Sequence, residues 1–340
     1  MNRNKIFLVA LLSIIAVMSC KKEEEELLSL TGDLSFSMPA YCVPGEKIDL
    51  LMSGVTGSKD IEFYWTATHK KILTDTIKGT TLHFTIADTV GTFAITAHAK
   101  AEGYYSKVKS MSFDIIKFGA EGTLTGVKHG TTKMTDSRDS KEYYYTEIGN
   151  LYWFEQNLNY AGTADNIVGA PYENAEPLAE LLGRLYTWDD ATGGVAASGL
   201  GNGPQGVCPD GWSVPTKEDW EDLAKNLNKG VAISFDEKWI GLGSEVMVVA
   251  KFNDKELWPY SPNNDKNNMY NWNALSSGHS NSKYETFDGI FTMGMWWCSA
   301  EKNEDEAYYR YIYYNQSYFD RHAVSKSEFG SSVRCVKLVK

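Results

Sequence analysis

Apolar residues are bunched together at the start of the chain and then, from Leu34 onward, spread out in a two-residue rhythm. Alternating stretches at 34–38, 46–53, 61–68, 81–86, 91–101 and 105–116 are separated by Pro44-Gly45, Gly54 to Lys59, Lys78-Gly79 and Asp88 to Gly91. Alternation sends every second side chain to one face, and Gly and Pro supply turns, so this region predicts a sandwich of short β-strands. Trp65, within Phe63-Tyr64-Trp65, is expected in its core. Cys42 has no obvious partner in the module and is expected as a buried free thiol. Lys117 to Thr132 is Gly-rich and reads as a linker.

Past the linker the rhythm breaks down, and Trp, Tyr, Asn and Gly accumulate. Two helices are expected. One covers roughly Glu176 to Leu182. The other follows Pro215, with Thr216 as N-cap, Asp219 as its third-position partner, and Trp220, Leu223, Ala224 and Leu227 on one face. Val333 to Val336 alternates like a terminal strand. In Ala307 to Tyr314, strand geometry puts Tyr309, Tyr311 and Tyr313 on one face and Tyr308, Arg310, Ile312 and Tyr314 on the other, one of which must pack inward.

The apolar run Ile6 to Val17 is too short to span a bilayer, and Arg3 and Lys5 precede it. It ends in Val17-Met18-Ser19-Cys20, followed by Lys21-Lys22 and Glu23 to Glu26. This pattern resembles bacterial lipoprotein signals, in which such a cysteine is acylated and becomes the new N-terminus. The basic-acidic block behind it is similar to the signal that sends Bacteroides-type lipoproteins to the outer face of the outer membrane. The resemblance implies a lipid anchor at Cys20 in the outer membrane, facing the medium. Each buried methylene contributes about 0.8 kcal/mol, so several acyl chains suffice for stable attachment.

Cleavage before Cys20 removes Arg3 and Lys5 from 33 basic residues and leaves 31 against 44 acidic ones, a net charge near −13. That field disfavours nucleic acid and anionic headgroups, which bind clustered Lys and Arg. Four cysteines remain: Cys42, Cys208, Cys298 and Cys335. Outside the cytoplasm they can pair in three ways, and spacing does not choose among them.

The alternating N-terminal region, with Val43-Pro44-Gly45-Glu46 leading into a strand and Gly91 to Thr96 before a final hairpin, resembles the polycystic-kidney-disease and bacterial immunoglobulin-like modules. Several blocks beyond it also fit together. They are Met134 to Asp139, Glu147-Ile148-Gly149-Asn150, Trp153, Glu155-Gln156-Asn157-Leu158-Asn159-Tyr160, Gly183 to Trp188, Cys208-Pro209-Asp210-Gly211-Trp212, Trp296-Trp297 and Ser332 to Val336. In order and spacing they resemble the Fibrobacter succinogenes major paralogous domain. That family is similar in outline to C-type lectins, which implies an irregular α+β domain whose two ends meet.

Together these resemblances imply an all-β immunoglobulin-like sandwich followed by an irregular α+β C-type-lectin-like domain. The expected boundaries are a signal peptide at 1–19, a lipidated tether at 20–30, the sandwich at 31–117 and the lectin-like domain at 118–340. The family resemblance further implies a Cys208–Cys335 disulfide, which would stabilise the fold by roughly 4 to 5 kcal/mol in the chain-entropy model. Ser213, where the family often has His, and Cys298, where Ser or Thr is usual, depart from its pattern.

Catalytic signatures are weak. Gly201-x-Gly203-x-x-Gly206 contains Pro204 and is followed by Cys208-Pro209, so it reads as a loop rather than a dinucleotide fingerprint. Asp189-Asp190, Glu218 to Asp222 and Asp305-Glu306 read as surface acids, and the six histidines show no metal-ligand spacing. Asn263 to Asn268 offers oxygen ligands suited to calcium but also the composition of ordinary turns. No enzyme, cofactor or metal is expected.

Aromatic rings in the loops are the better candidates, because sugar C–H faces stack on exposed Trp and Tyr. The ligand surface is expected at Trp258, Tyr260, Tyr270, Trp272, Tyr318 and His322. The expected function is non-catalytic binding at the cell surface, of glycan, as an accessory to a Sus-type outer-membrane nutrient importer. The alternative is a structural, adhesive or peptide-capturing protein.

Overall fold

The computed structural model describes residues 27–340, so the leader and Cys20 lie outside the described residues. The N-terminal unit is built on two main sheets. One has five strands, ordered Tyr41–Cys42, Lys107–Ile115, Gly91–Lys100, Glu62–Ala67 and Ile77–Lys78, and the other pairs Lys47–Leu51 with Thr81–Thr85. Strict alternation explains the packing: Ile48 and Leu50 are buried while Lys47, Asp49 and Leu51 face out. The inward residues of both sheets form one core with Trp65, which is fully buried with Phe36 edge-on at 5.1 Å. Residues 34–38 make only a single bridge, from Ser35 to Ser53, yet Leu34 and Met38 still enter the core. Cys42 is a buried free thiol whose pKa burial pushes up to about 12.

Both expected connectors are more structured than their composition suggests. Within the expected tether, Leu28–Ser29 pairs with Tyr104–Tyr105, and Leu30 enters the core of the N-terminal unit while Leu27 and Leu28 stay exposed. Ile116 and Thr123 are also buried. The Thr123 hydroxyl donates to the Ile115 carbonyl at 2.9 Å and accepts from Lys117 N–H at 2.9 Å, which folds 117–123 into a tight loop. Leu124–Thr125 then pairs with Lys251–Phe252, so the expected linker forms part of a sheet in the C-terminal head.

The head is irregular, with its two ends joined. Val336–Leu338 pairs antiparallel with Leu151–Trp153 in a four-stranded sheet, beside the Cys208–Cys335 disulfide that spans 127 residues. A second sheet contains Met293–Glu301, Glu306–Tyr313 and Asp320–Ser325. The helix Lys217–Leu227 begins at the expected capping box: Thr216 Oγ1 accepts from Asp219 N–H at 3.2 Å, and Asp219 Oδ2 accepts from Thr216 N–H at 2.9 Å. Its four expected face residues are all buried. The helix Glu176–Leu182 has the expected bounds. Two five-residue helices, Trp188–Thr192 and Leu242–Val246, are too short for a periodic signal.

Tryptophans fill the head. Trp153, Trp220, Trp239, Trp258, Trp272 and Trp296 share one cluster, and Phe319 sits within 6.0 Å of four of them. Both faces of Glu306–Tyr313 pack inward, rather than the single face expected. Arg310 and Ile312 enter this cluster, while Ala307 and Tyr309 enter a second one with Trp297. The strand lies between two packed layers, so alternation cannot mark a solvent side.

Two guanidinium groups are fully buried in this aromatic interior. Arg310 lies 3.2 Å from the Trp239 ring centroid and donates to the backbone carbonyls of Phe319 at 2.8 Å, Glu237 at 3.3 Å and Phe235. Arg334 donates to the carbonyls of Phe154 at 3.1 Å, Asn273 at 2.7 Å and Trp272, and to Asn157 Oδ1 at 2.7 Å. Burial pushes both pKa values down to about 9. Each planar fork collects carbonyls from several separate segments of the head.

Candidate functional site

The six expected ligand residues separate into two groups. Trp258 and Trp272 are corrected outright. Trp258 is 1% exposed with its indole N–H on the Ala274 carbonyl at 2.9 Å, and Trp272 is fully buried between Trp153, Trp220 and Trp296. Neither presents a face to a ligand. In a domain with little regular secondary structure, large rings in Asn- and Gly-rich segments serve as core. Tyr260 and Tyr270 are exposed at opposite ends of the loop between those two tryptophans. Tyr318 is half-buried beneath Lys238, whose Nζ is 4.8 Å from the ring centroid, and His322 is exposed with Nδ1 against its neighbour's carbonyl at 2.8 Å.

The polar motifs weighed above serve as struts. Asn264 is buried, accepting from Ser244 Oγ at 2.6 Å and donating to the Tyr314 and Gln316 carbonyls at 3.1 Å, which pins the Asn263–Asn268 loop. Asp190 accepts from Tyr284 Oη at 2.8 Å, Glu218 from Gly199 N–H at 2.8 Å and Asp222 from Asn150 N–H at 2.8 Å. In the glycine loop, a Cβ on Gly206 would lie 1.9 Å from the Ala191 carbonyl oxygen, so close backbone packing requires glycine there.

A concavity of about 820 Å³ lies between the 119–129 segment and residues 141–183. Its floor is the segment Glu155 to Asn159, immediately after the buried strand Leu151–Phe154. One wall is the helix Glu176–Leu182, and Leu124, Val127, Leu181 and Leu275 contribute apolar surface. Glu155 is 1% exposed. Its Oε2 accepts from Gly130 N–H at 2.9 Å and lies 3.2 Å from His129 Nδ1, while Oε1 has no hydrogen-bond partner. The His129 ring stacks on Tyr144 at 4.8 Å, and Tyr144 N–H donates to Gln156 Oε1 at 2.7 Å.

At the other end, Lys141 Nζ donates to the Asn159 carbonyl at 2.8 Å and lies 3.1 Å from Glu180 Oε1. Asn159, 5% exposed, donates through Nδ2 to the same Glu180 oxygen at 3.0 Å, and its Oδ1 is unpartnered. Asn157 turns inward. It donates to the Leu182 carbonyl at 2.8 Å, and its Oδ1 receives Trp296 Nε1 at 2.8 Å and Arg334 Nε at 2.7 Å. This segment is therefore anchored from beneath by Arg334 while two acceptor oxygens remain unspent. Reasoning from aromatic content passed over it. The available signal was its polarity directly after a wholly apolar strand.

No curated protein matches the chain. The family model described as the Fibrobacter succinogenes major domain matches residues 146–337, which takes in most of the cleft floor, both buried arginines and the disulfide. The match covers more than half of the chain, and the protein belongs to this family.

Proposed function

We propose that this protein is a non-catalytic surface lipoprotein whose head binds glycan, as an accessory to a Sus-type outer-membrane importer. In this reading an acylated Cys20 holds the chain to the outer membrane, the immunoglobulin-like unit spaces the head from it, and the head is a C-type-lectin-like binding domain. The observation that carries the binding reading is the 820 Å³ cleft, where carboxylates and amides stand beside aliphatic surface. Saccharides present hydroxyls and apolar C–H faces together, and such a lining matches both. Asp190, Glu218 and Asp222 hydrogen-bond neighbouring segments as loop struts, which supports a non-catalytic reading of these acids.

A glycan array probed with residues 21–340 tests this directly. Binding to at least one glycan is expected, whereas an empty array together with copurification of a transporter would favour peptide capture or adhesion instead. The address has its own test. Surface labelling of whole cells should be lost in Cys20→Ala, and retention of surface signal would reject the lipid anchor.

A further inference from the structure

The family match begins at residue 146, yet an apolar cluster of the head is completed from outside it. Leu178, Leu182, Val248, Ala250 and Phe252 are buried there together with Ile116, which follows the strand Lys107–Ile115 of the N-terminal unit. Ile116 is fully buried, although Phe113 and Ile115 just before it pack into the N-terminal unit's own core. Tyr41 and Val43, at the edge of the same sheet, also pack against the head's cluster. Parting the two here would return apolar surface of both to water.

Hydrogen bonds close the same seam. The strands Lys251–Phe252 and Lys255–Glu256 form a hairpin that turns through Asn253 and Asp254, both at positive φ (47° and 64°), which Asn and Asp tolerate. Its tip reaches the N-terminal unit: Asn253 Nδ2 donates to Asp114 Oδ1 at 2.8 Å, and Thr92 Oγ1 donates to the same oxygen at 2.6 Å. Asn253 N–H donates to the Thr123 carbonyl at 2.8 Å, and Leu124–Thr125 of the connector pairs with the first strand of the hairpin. Joined units reorient when few contacts cross between them and the linker is loose. Here a shared apolar cluster, a side-chain clamp and a paired connector all cross.

We infer that the N-terminal unit is a fixed cap on the head: it completes the head's apolar cluster and holds both at one angle, where a stalk would swing. The segment 119–129, which walls the 820 Å³ cleft, runs through this joint, so the cap also sets the position of that wall. The cap needs no ligand in the cleft.

Double electron–electron resonance on residues 21–340 tests the cap. One spin-label pair crosses the joint, at Lys109→Cys in the N-terminal unit and Lys225→Cys in the head, and a second lies within the head, at Lys225→Cys and Thr286→Cys. All three positions are exposed on strands or a helix, while Cys42 and Cys298 are buried and stay unlabelled. The pair across the joint should give a single distance as narrow as the pair within the head, and a broad or split distribution there overturns the fixed cap. Ile116→Asn combined with Asn253→Gly places an amide in the shared cluster and removes the clamp, while Gly keeps the positive φ. This variant should broaden the distance across the joint and leave the pair within the head unchanged. A distribution that stays narrow in it overturns these contacts as the joint. If near-UV circular dichroism shows the variant unfolded, hydrogen exchange of the unaltered chain decides in its place. The Asn253 amide at the hairpin tip should be protected together with the head, and exchange at the free-peptide rate overturns the cap.

Discussion

The N-terminal unit and the head achieve burial by different chemistry. The first repeats a single device, the alternating strand, and its core is mainly aliphatic around one tryptophan, without a buried charge among its core residues. The head gathers carbonyls from several separate segments onto Arg310 and Arg334 within a shell of tryptophans. A sheet satisfies its backbone locally, and what remains is area to be buried. An irregular fold must satisfy its backbone with side chains, so polar groups move inside and large rings surround them. Here the second solution also leaves a cleft with unspent acceptors, which the regular sandwich has no cause to create.

The largest effect that could break this comparison comes from Arg310. Arg310→Met keeps volume but strands the carbonyls of Phe235 and Glu237, while Phe319 keeps the Trp239 N–H. At about 1 to 3 kcal/mol for each buried unsatisfied group, a loss of roughly 3 to 5 kcal/mol is expected in denaturant unfolding of the head. Ile95→Val in the sandwich removes one methylene and should cost about 1 kcal/mol. Equal losses at the two sites would mean that guanidinium–carbonyl contacts do not hold the head together.

A smaller effect concerns pH. Burial raises the Asp219 pKa to about 6, against about 3.9 in an unfolded chain. The folded state therefore binds this proton more tightly. The group's contribution is most favourable below pH 4 and is lost as pH rises through 6, a change of about 3 kcal/mol. Chemical denaturation of wild type and Asp219→Asn at pH 4 and 7 should show that part of the pH dependence absent from the variant. An identical pH slope in the two proteins would show that Asp219 does not titrate in this window.

The same contrast explains what could be read from the sequence. Alternation reports one-sided burial, so five of the six expected strands came within two residues at each end, 34–38 making only a bridge, and Thr216 with Asp219 announced the helix Lys217–Leu227. The Cys208–Cys335 pair followed from family resemblance, since spacing left three pairings open. Trp258 and Trp272 misled because nothing local distinguishes a ring on a loop from a ring beneath one. Residues 306–313 misled because a strand packed on both faces carries no solvent side. The cleft was invisible for a further reason: its floor, helix wall and 119–129 segment are three separate segments that local periodicity does not connect.

The pairing of Val336–Leu338 with Leu151–Trp153 has a consequence for the order of events as the chain is made. Arg334 and this strand come from residues 334–338, yet they bind residues 151–154, and Cys335 bonds Cys208. A ribosome releasing the polypeptide from its N-terminus supplies everything the sandwich requires long before it supplies the closing segment of the head. The sandwich can mature during synthesis, whereas the head must wait, with its tryptophans uncovered, until residues 334–338 arrive.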